Sequence, residues 1–194
     1  MSPIHVDVVE EGPERLADYA RVPIAFVVEA TFDDGALDTL ARGGHPAPTP
    51  VPAPYEKDYD ALPGGRPTDW PTRFDVHRWI ILGAFHDRKR VGGAAVVVGD
   101  AEVDPGGRPD DALLWDLRVA PAMRHRGVGS ALLRAAEHAA VRQGARVLRV
   151  ETQQINVAAC RFYQRNGFSI EHVQRGSYPE LPGEVRLIWS KTLR

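Results

Sequence analysis

The sequence has a single cysteine, Cys160, in 194 residues, so no intrachain disulfide can form. It has no long hydrophobic run either. WIILGAF at 79–85 and GGAAVVVG at 92–99 fall far short of the roughly 20 apolar residues needed to cross a bilayer. The opening MSPIHVDVVEEGPERL shows neither a basic leader nor a continuous apolar stretch, so no secretory signal is visible and a cytoplasmic location is expected. The seven histidines are scattered without metal-ligand spacing, and no internal repeat stands out. These absences set metal-free chemistry, away from membranes, as the expectation.

What is present is enough apolar material for one good core: 43% of residues are hydrophobic and 26% charged, which predicts one domain spanning 1–194. Net charge is only −2, yet it is unevenly spread. Residues 118–150 hold seven arginines (118, 124, 126, 134, 142, 146, 149) against one acid, Glu137, so this segment is +6 and the remainder −8. A basic block inside an acidic chain argues against wholesale nucleic-acid binding. It fits either one localised anionic ligand or a solvated helix face that happens to carry arginines.

The first third predicts a short strand near 5–10, a helical stretch near 13–21 and a strand-like run over 24–32. Between 33 and 71 lie eight of the sixteen prolines, including the alternating HPAPTPVPAPYEKDYD. That pattern predicts an insertion following an extended, polyproline-like path, with neither ladder nor helix. Packing over a site and a disordered linker are both open for it. From residue 78 the pattern sharpens: WIILGAF, the turn HDRKR and VGGAAVVVG predict a hairpin, the turn-rich VDPGGRPDD a connector, and ALLWDLRVAP a strand ending at Pro121. Val128, Ala131, Leu132, Ala135 and Ala139 recur at helical spacing, with Gly144 as the stop. RVLRVET (146–152) then completes a strand-helix-strand unit of parallel-crossover length. A helix over 156–165 stopped by Asn166-Gly167 follows, and FSIEHV and EVRLIWSK close the chain as strands around a turn, YPELPGE.

Two constellations carry chemistry. RHRGVGS (124–130) hands a strand to a helix, where a glycine-rich turn exposes successive backbone N–H groups and the helix dipole adds about half a positive charge. Gly127 and Gly129 clear side chains from an approaching oxygen-rich ligand, and Arg124 and Arg126 offer charge for phosphates. The run is neither a Walker loop nor the dinucleotide fingerprint, and surface arginines on a glycine-tolerant helix start would explain it equally. In ETQQINVAACRFYQRNGF (151–168), Asn156, Cys160 and Tyr163 fall on one helix face, and Glu151 ends the strand feeding that helix. Alternative readings are a helix cap for Asn156, a packed ring for Tyr163 and a solvated strand end for Glu151. Cys160 on an alanine-rich helix reads as small packing and not as a covalent acyl carrier.

Together these stretches resemble the GNAT superfamily of acyl-CoA-dependent N-acetyltransferases. Leu117, Val119 and Arg124 to Gly129 match its Gln/Arg-x-x-Gly-x-Gly/Ala loop after a Leu-x-Val strand. Asn156, Ala159, Phe162, Tyr163, Gly167 and Phe168 match its downstream motif without a gap. The resemblance covers roughly 75–194, and the ETQ, NVAAC and EV-LIW stretches are most similar to streptothricin acetyltransferases. Departures from those enzymes are Trp115, where they tend to carry an acid, and the insertion.

The resemblance implies an α/β (α+β) fold: a mixed, mostly antiparallel sheet flanked by helices, with a splayed parallel strand pair holding coenzyme A. It implies acetyl-CoA as cosubstrate, no metal, and binding by Leu117, Arg118 and Val119 on the strand, by Arg124, His125, Arg126, Gly127, Val128, Gly129 and Ser130 in the loop, and by Asn156. It implies Tyr163 as the acid that protonates the departing thiolate and Val119 N–H as the oxyanion donor. An amine of pKa near ~10.4 must lose a proton before attack. Glu151, which resembles in position a glutamate of the ribosomal-protein alanine acetyltransferases, is the expected base, and Asp116 the alternative. Strand alternation predicts that Asp116 points opposite to Trp115 and Leu117. The expected acceptor is a primary amine of a small antibiotic-like or polyamine-like molecule. A protein N-terminus or lysine, and a coenzyme A-binding module without turnover, are the other readings. Family members are often homodimers, though the sequence shows no interface.

Overall fold

The structure is a computed structural model that describes residues 4–100, 102–103 and 108–194. Residues 104–107 of the expected connector lie outside the described residues. The chain divides into two compact units, one of Met1–Ala25, Asp58–Leu148 and Leu193–Arg194, the other of Phe26–Lys57 and Arg149–Thr192.

The first unit is built on β1 (Asp7–Glu11), β4 (Ile80–His86), β5 (Lys89–Val98) and β6 (Asp111–Val119), each antiparallel to its neighbour in the order β1-β4-β5-β6. The expected hairpin is β4-β5, and it turns on Asp87 and Arg88, both left-handed (φ 49° and 62°). Two consecutive positive φ values make a type I′ connection, whose twist matches that of paired strands. The crossover helix α3 (Val128–Arg142) lies across β4, β5 and β6 and leads into β7 (Val147–Gln153), the parallel neighbour of β6. Its buried side is Val128, Leu132, Leu133, Ala136, Ala139 and Ala140, a wider stripe than the expected one, which held Ala131 and Ala135 instead of Leu133, Ala136 and Ala140. Gly144, at φ 86°, ends the helix in the expected place. Its N–H donates to Val141 and that of Ala145 to Ala140, which satisfies the last carbonyls.

Behind the β4-β5-β6 sheet sits an aromatic core. The short helix α1 (Leu16–Tyr19) and the 3-10 turn Pro67–Thr72 bring Tyr19 and Trp70 against Trp79, Ile81, Ala95 and Val97. Trp70 is 1% exposed, and a ring of that size removes about 150–250 Å² from water, on the order of 5 kcal/mol of transfer free energy. Gly93 makes the fit possible, because a β-carbon there would run into the Tyr19 ring. Residues 58–71, expected as part of an extended insertion, thus supply core through Trp70.

The second unit carries β7, β9 (Arg186–Thr192) and β8 (Ser169–Gln174) in the order β7-β9-β8, with β8 and β9 antiparallel. Helix α4 (Val157–Arg165) stops where expected: Gly167 is left-handed at φ 85°, and Phe168 N–H donates to Tyr163.

The proline-rich stretch departs from expectation. Helix α2 (Asp34–Ala41) forms there, capped by Asp33, whose carboxylate accepts from Ala36 N–H at 2.9 Å. Strand β3 (Thr49–Lys57) then pairs with β2 (Phe26–Thr31). The ladder holds at Thr31↔Thr49 and Ala30↔Pro50, and again from Val28↔Tyr55 to Phe26↔Lys57. Between these, residues 51–54 face Glu29 alone, so the break falls across Pro52 and Pro54. Proline removes a ladder donor, and strands keep it at edges and irregularities. The sequence reading applied that rule to the whole run, whereas the ladder needs only its two ends.

Candidate active site

In the first unit the site begins with a bulge. Ala95 pairs with Asp116 but Val96 pairs with Leu114, so Trp115 is the extra residue of β6. The bulge overturns the expected opposition of Trp115 and Asp116: both reach the same aromatic core. The Trp115 ring stacks edge-on to Trp70 at 6.3 Å, and Tyr19, itself 5.8 Å from Trp70, donates its hydroxyl to Asp116 at 2.6 Å.

Asp116 also accepts from Arg118, Nε to Oδ1 at 2.9 Å and Nη2 to Oδ2 at 2.8 Å. The Arg118 side chain is fully buried and its remaining donors go to Asp60, at 2.9 and 3.0 Å, and to the Val22 carbonyl at 3.0 Å. A guanidinium has five N–H donors, and all five are taken. Burial alone would lower its proton affinity, but the Asp116 charge and the hydrogen bonds it donates to Asp116 and Asp60 outweigh it, so Arg118 is fixed as a cation. Burial, then the Asp116 charge, push the Tyr19 phenol up, so it stays a donor. Asp116 is therefore a buried counter-ion whose oxygens are occupied, and the Arg118 side chain has nothing left for a ligand.

The loop after β6 has the shape of an anion cradle. His125 and Gly127 are left-handed, at φ 60° and 89°, and such alternation turns successive N–H groups to one side. Gly127 is the N-cap of α3 and supplies no side-chain acceptor for the first turn, and a β-carbon there would meet nothing within 4 Å. Arg126 Nε is buried with no partner among the described residues. Arg124 is tied instead to the carbonyls of Val119 (3.1 Å) and Ala25 (2.8 Å), and burial lowers its proton affinity. Its guanidinium braces the loop. The +6 block is likewise divided: Arg142 pairs with Glu10 at 3.0 Å, and in the second unit Arg149 pairs with Glu171 at 2.9 Å.

In the second unit, Glu151 and Gln153 share a face of β7 while Leu148, Val150 and Thr152 are buried on the other. Glu151 accepts from the Tyr178 hydroxyl at 2.6 Å and from Arg186 Nε at 2.6 Å. The Tyr178 oxygen in turn accepts from Gln153 Nε2 at 2.8 Å. Burial and then the Glu151 charge push the Tyr178 phenol well above its usual range, which keeps the proton on it. The Glu151 side chain is 33% exposed, against 7% for Asp116. Asn156 caps α4, its Oδ1 accepting from Ala159 N–H at 3.0 Å. Tyr163 is 6% exposed, packed edge-on between Phe162 and Phe168. Cys160 is buried on the same face, 3.6 Å from the Thr152 hydroxyl, and burial pushes its thiol up to about 12. At neutral pH it is a packed thiol, not a nucleophile.

Sequence reasoning missed Tyr178, Arg186, Tyr19 and the pairing of Asp60 with Arg118. Each reaches its partner across at least 27 residues of chain, from Tyr178 to Glu151 up to Tyr19 to Asp116, and no local pattern reports such a pairing. Among the described residues no cluster of His, Cys, Asp or Glu has metal-holding geometry, and no helix is long and apolar enough to cross a membrane.

Comparison with known proteins fits this picture. Streptothricin acetyltransferase A of Bacillus subtilis is 39% identical over 80 residues, 40% of this chain, and the match spans about half (46%) of that protein. Streptothricin acetyltransferase of Escherichia coli is 27% identical over 180 residues, 91% of each chain. Two solved structures share the fold: nourseothricin acetyltransferase, with a TM-score of 0.72 at 22% identity over 97% of this chain and 99% of that one, and a Bacillus anthracis protein in complex with acetyl coenzyme A, at 0.74 and 23% over 98% and 100%. The family model described as Acetyltransferase (GNAT) family matches residues 47–168, well over half of the sequence, and the chain belongs to that family.

Proposed function

We propose that this chain transfers the acetyl group of acetyl-CoA to a primary amine of a small molecule, by direct attack within a ternary complex. The observation that carries the reading is the loop 124–130: an uncapped helix start, two left-handed residues and a buried, unpartnered Arg126 Nε together ask for an anion. The diphosphate of the coenzyme is that anion. Amides of Val128, Gly129 and Ser130 would hold it, with His125 and Arg126 on the loop and Leu117 and Val119 offering main chain to the pantetheine. The cap of α4 engages Asn156 Oδ1, which leaves the side-chain amide hydrogens for the same arm.

In the reaction, the acceptor ammonium loses a proton to Glu151, the nitrogen attacks the thioester carbonyl carbon, and the Val119 N–H stabilises the oxyanion. The carbon–sulfur bond then breaks, the thiolate takes the Tyr163 phenolic proton, and the second proton shed by the acylated nitrogen restores the phenol. Asp116 is set aside as base because it lies buried at 7% exposure, ion-paired to the enclosed Arg118 and bonded by Tyr19, whereas Glu151 is 33% exposed. The streptothricin acetyltransferases among the relatives suggest streptothricin as the first acceptor to try. Calorimetry with acetyl-CoA, followed by free-thiol release with streptothricin, aminoglycosides, polyamines and a peptide array, tests the reading. Binding with release by a small amine supports it. Binding without release by any acceptor would leave a coenzyme A-binding module, and release by peptides alone a protein acetyltransferase.

A further inference from the structure

Glu151 does not stand alone, and its partners come from three places in the second unit. Tyr178 belongs to the 175–185 connector, Arg186 to β9 and Gln153 to β7 itself. The bonds have a fixed direction. Gln153 Nε2 donates to the Tyr178 oxygen, so the phenolic hydrogen points at Glu151 Oε1, while Arg186 Nε holds Oε2. Each carboxylate oxygen receives one donor and keeps a further lone pair. A carboxylate on a glutamate stem turns freely about its last torsion, whereas one gripped at both oxygens presents those lone pairs in a single plane. Arg186 Nη1 is steadied by Gln174 Oε1 at 3.4 Å, so the grip extends to β8.

We infer that Tyr178 and Arg186 are positioning residues for acetyl transfer, acting through Glu151 to fix the plane from which it takes the acceptor proton. The inference rests on Glu151 being the base. A general base contributes roughly 10²–10⁴-fold when held in reach of its proton, and loss of orientation removes part of that factor. The Tyr178 phenol moves no proton itself, because burial and the neighbouring carboxylate keep it protonated.

The test uses the full chain, with turnover of streptothricin and of a series of simple primary amines of graded basicity. Tyr178→Phe, which deletes one oxygen, is expected to lower kcat about tenfold with the KM for acetyl-CoA unchanged. The deficit should shrink for amines already uncharged at the assay pH, because they need no base. Arg186→Met is expected to do the same more strongly, and Arg186→Lys to restore part of the loss, since one donor suffices for Oε2. A purely structural role would lower the melting temperature and shift kcat alike for every amine, and that pattern overturns the inference. So does an unchanged kcat in Tyr178→Phe. If Glu151→Gln is as active as the parent while acetyl-CoA still binds, the base assignment fails and the inference with it. If the parent turns over none of the amines, the functional reading fails first.

Discussion

Asp116 in the first unit and Glu151 in the second are both strand carboxylates, and each is bonded to one tyrosine and one arginine. Their surroundings separate them. Asp116 lies 7% exposed against a guanidinium with no free donor, whereas Glu151 is 33% exposed and gripped by one nitrogen of an arginine that is itself 38% exposed. A carboxylate, a tyrosine and an arginine make a buried tie in one place and an accessible, oriented carboxylate, the proposed base, in the other. Burial and donor saturation decide the difference, not residue identity.

The largest expected effect tests the buried side. Arg118→Met leaves Asp116 and Asp60 without their cation, and removing one partner of a buried pair costs about 3–5 kcal/mol, read as a lowered urea midpoint at unchanged m value. Glu151→Gln should instead leave that midpoint close to the parent's and cut kcat roughly 10²–10³-fold. The comparison breaks if the two variants exchange signatures. Gly127→Ala sharpens it from the ligand side. With open space around the site but φ at 89°, the cost is conformational, about 1–2 kcal/mol, and calorimetry should show weaker acetyl-CoA binding. Cys160→Ala should leave turnover intact, since the thiol is protonated and enclosed.

A smaller effect concerns Asp33. The Ala36 N–H and then the Thr49 hydroxyl hold this exposed carboxylate below its ordinary range. A depressed folded value means that its stabilisation is complete above the unfolded value and fades as pH falls through the folded one. The melting temperatures of the parent and Asp33→Ala should therefore differ at neutral pH and converge in acid.

The elements carrying the two motifs were legible in sequence because their signals are local. Gly144 and Gly167 stop α3 and α4 where a left-handed residue is needed, and Asn156 caps a helix whose face is set by Cys160 and Tyr163. The hairpin 80–98 followed from two apolar runs around a short turn. What was not legible depends on pairing across the chain. The bulge at Trp115 is a register event between two strands and leaves no trace in the strand's own composition, so alternation set Trp115 opposite to Asp116 when both reach one core. The proline run was read by its donors lost, while Phe26–Val28 at one end and Ala30–Thr31 at the other supplied partners for a ladder. The basic block was counted as one charge, whereas its arginines find separate acids and carbonyls.

The interrupted ribbon β2-β3 has a consequence for behaviour in a crowded solution. It is a two-stranded sheet with an outer edge on β3, and Val27 of β2 and Tyr55 of β3 lie open at 57% and 45% exposure. Such an edge would ordinarily template intermolecular β-pairing and, in the end, amyloid. Pro50, Pro52 and Pro54 interrupt the strand midway, and a proline-broken edge is a poor template, so the residues that break the internal ladder also work against aggregation.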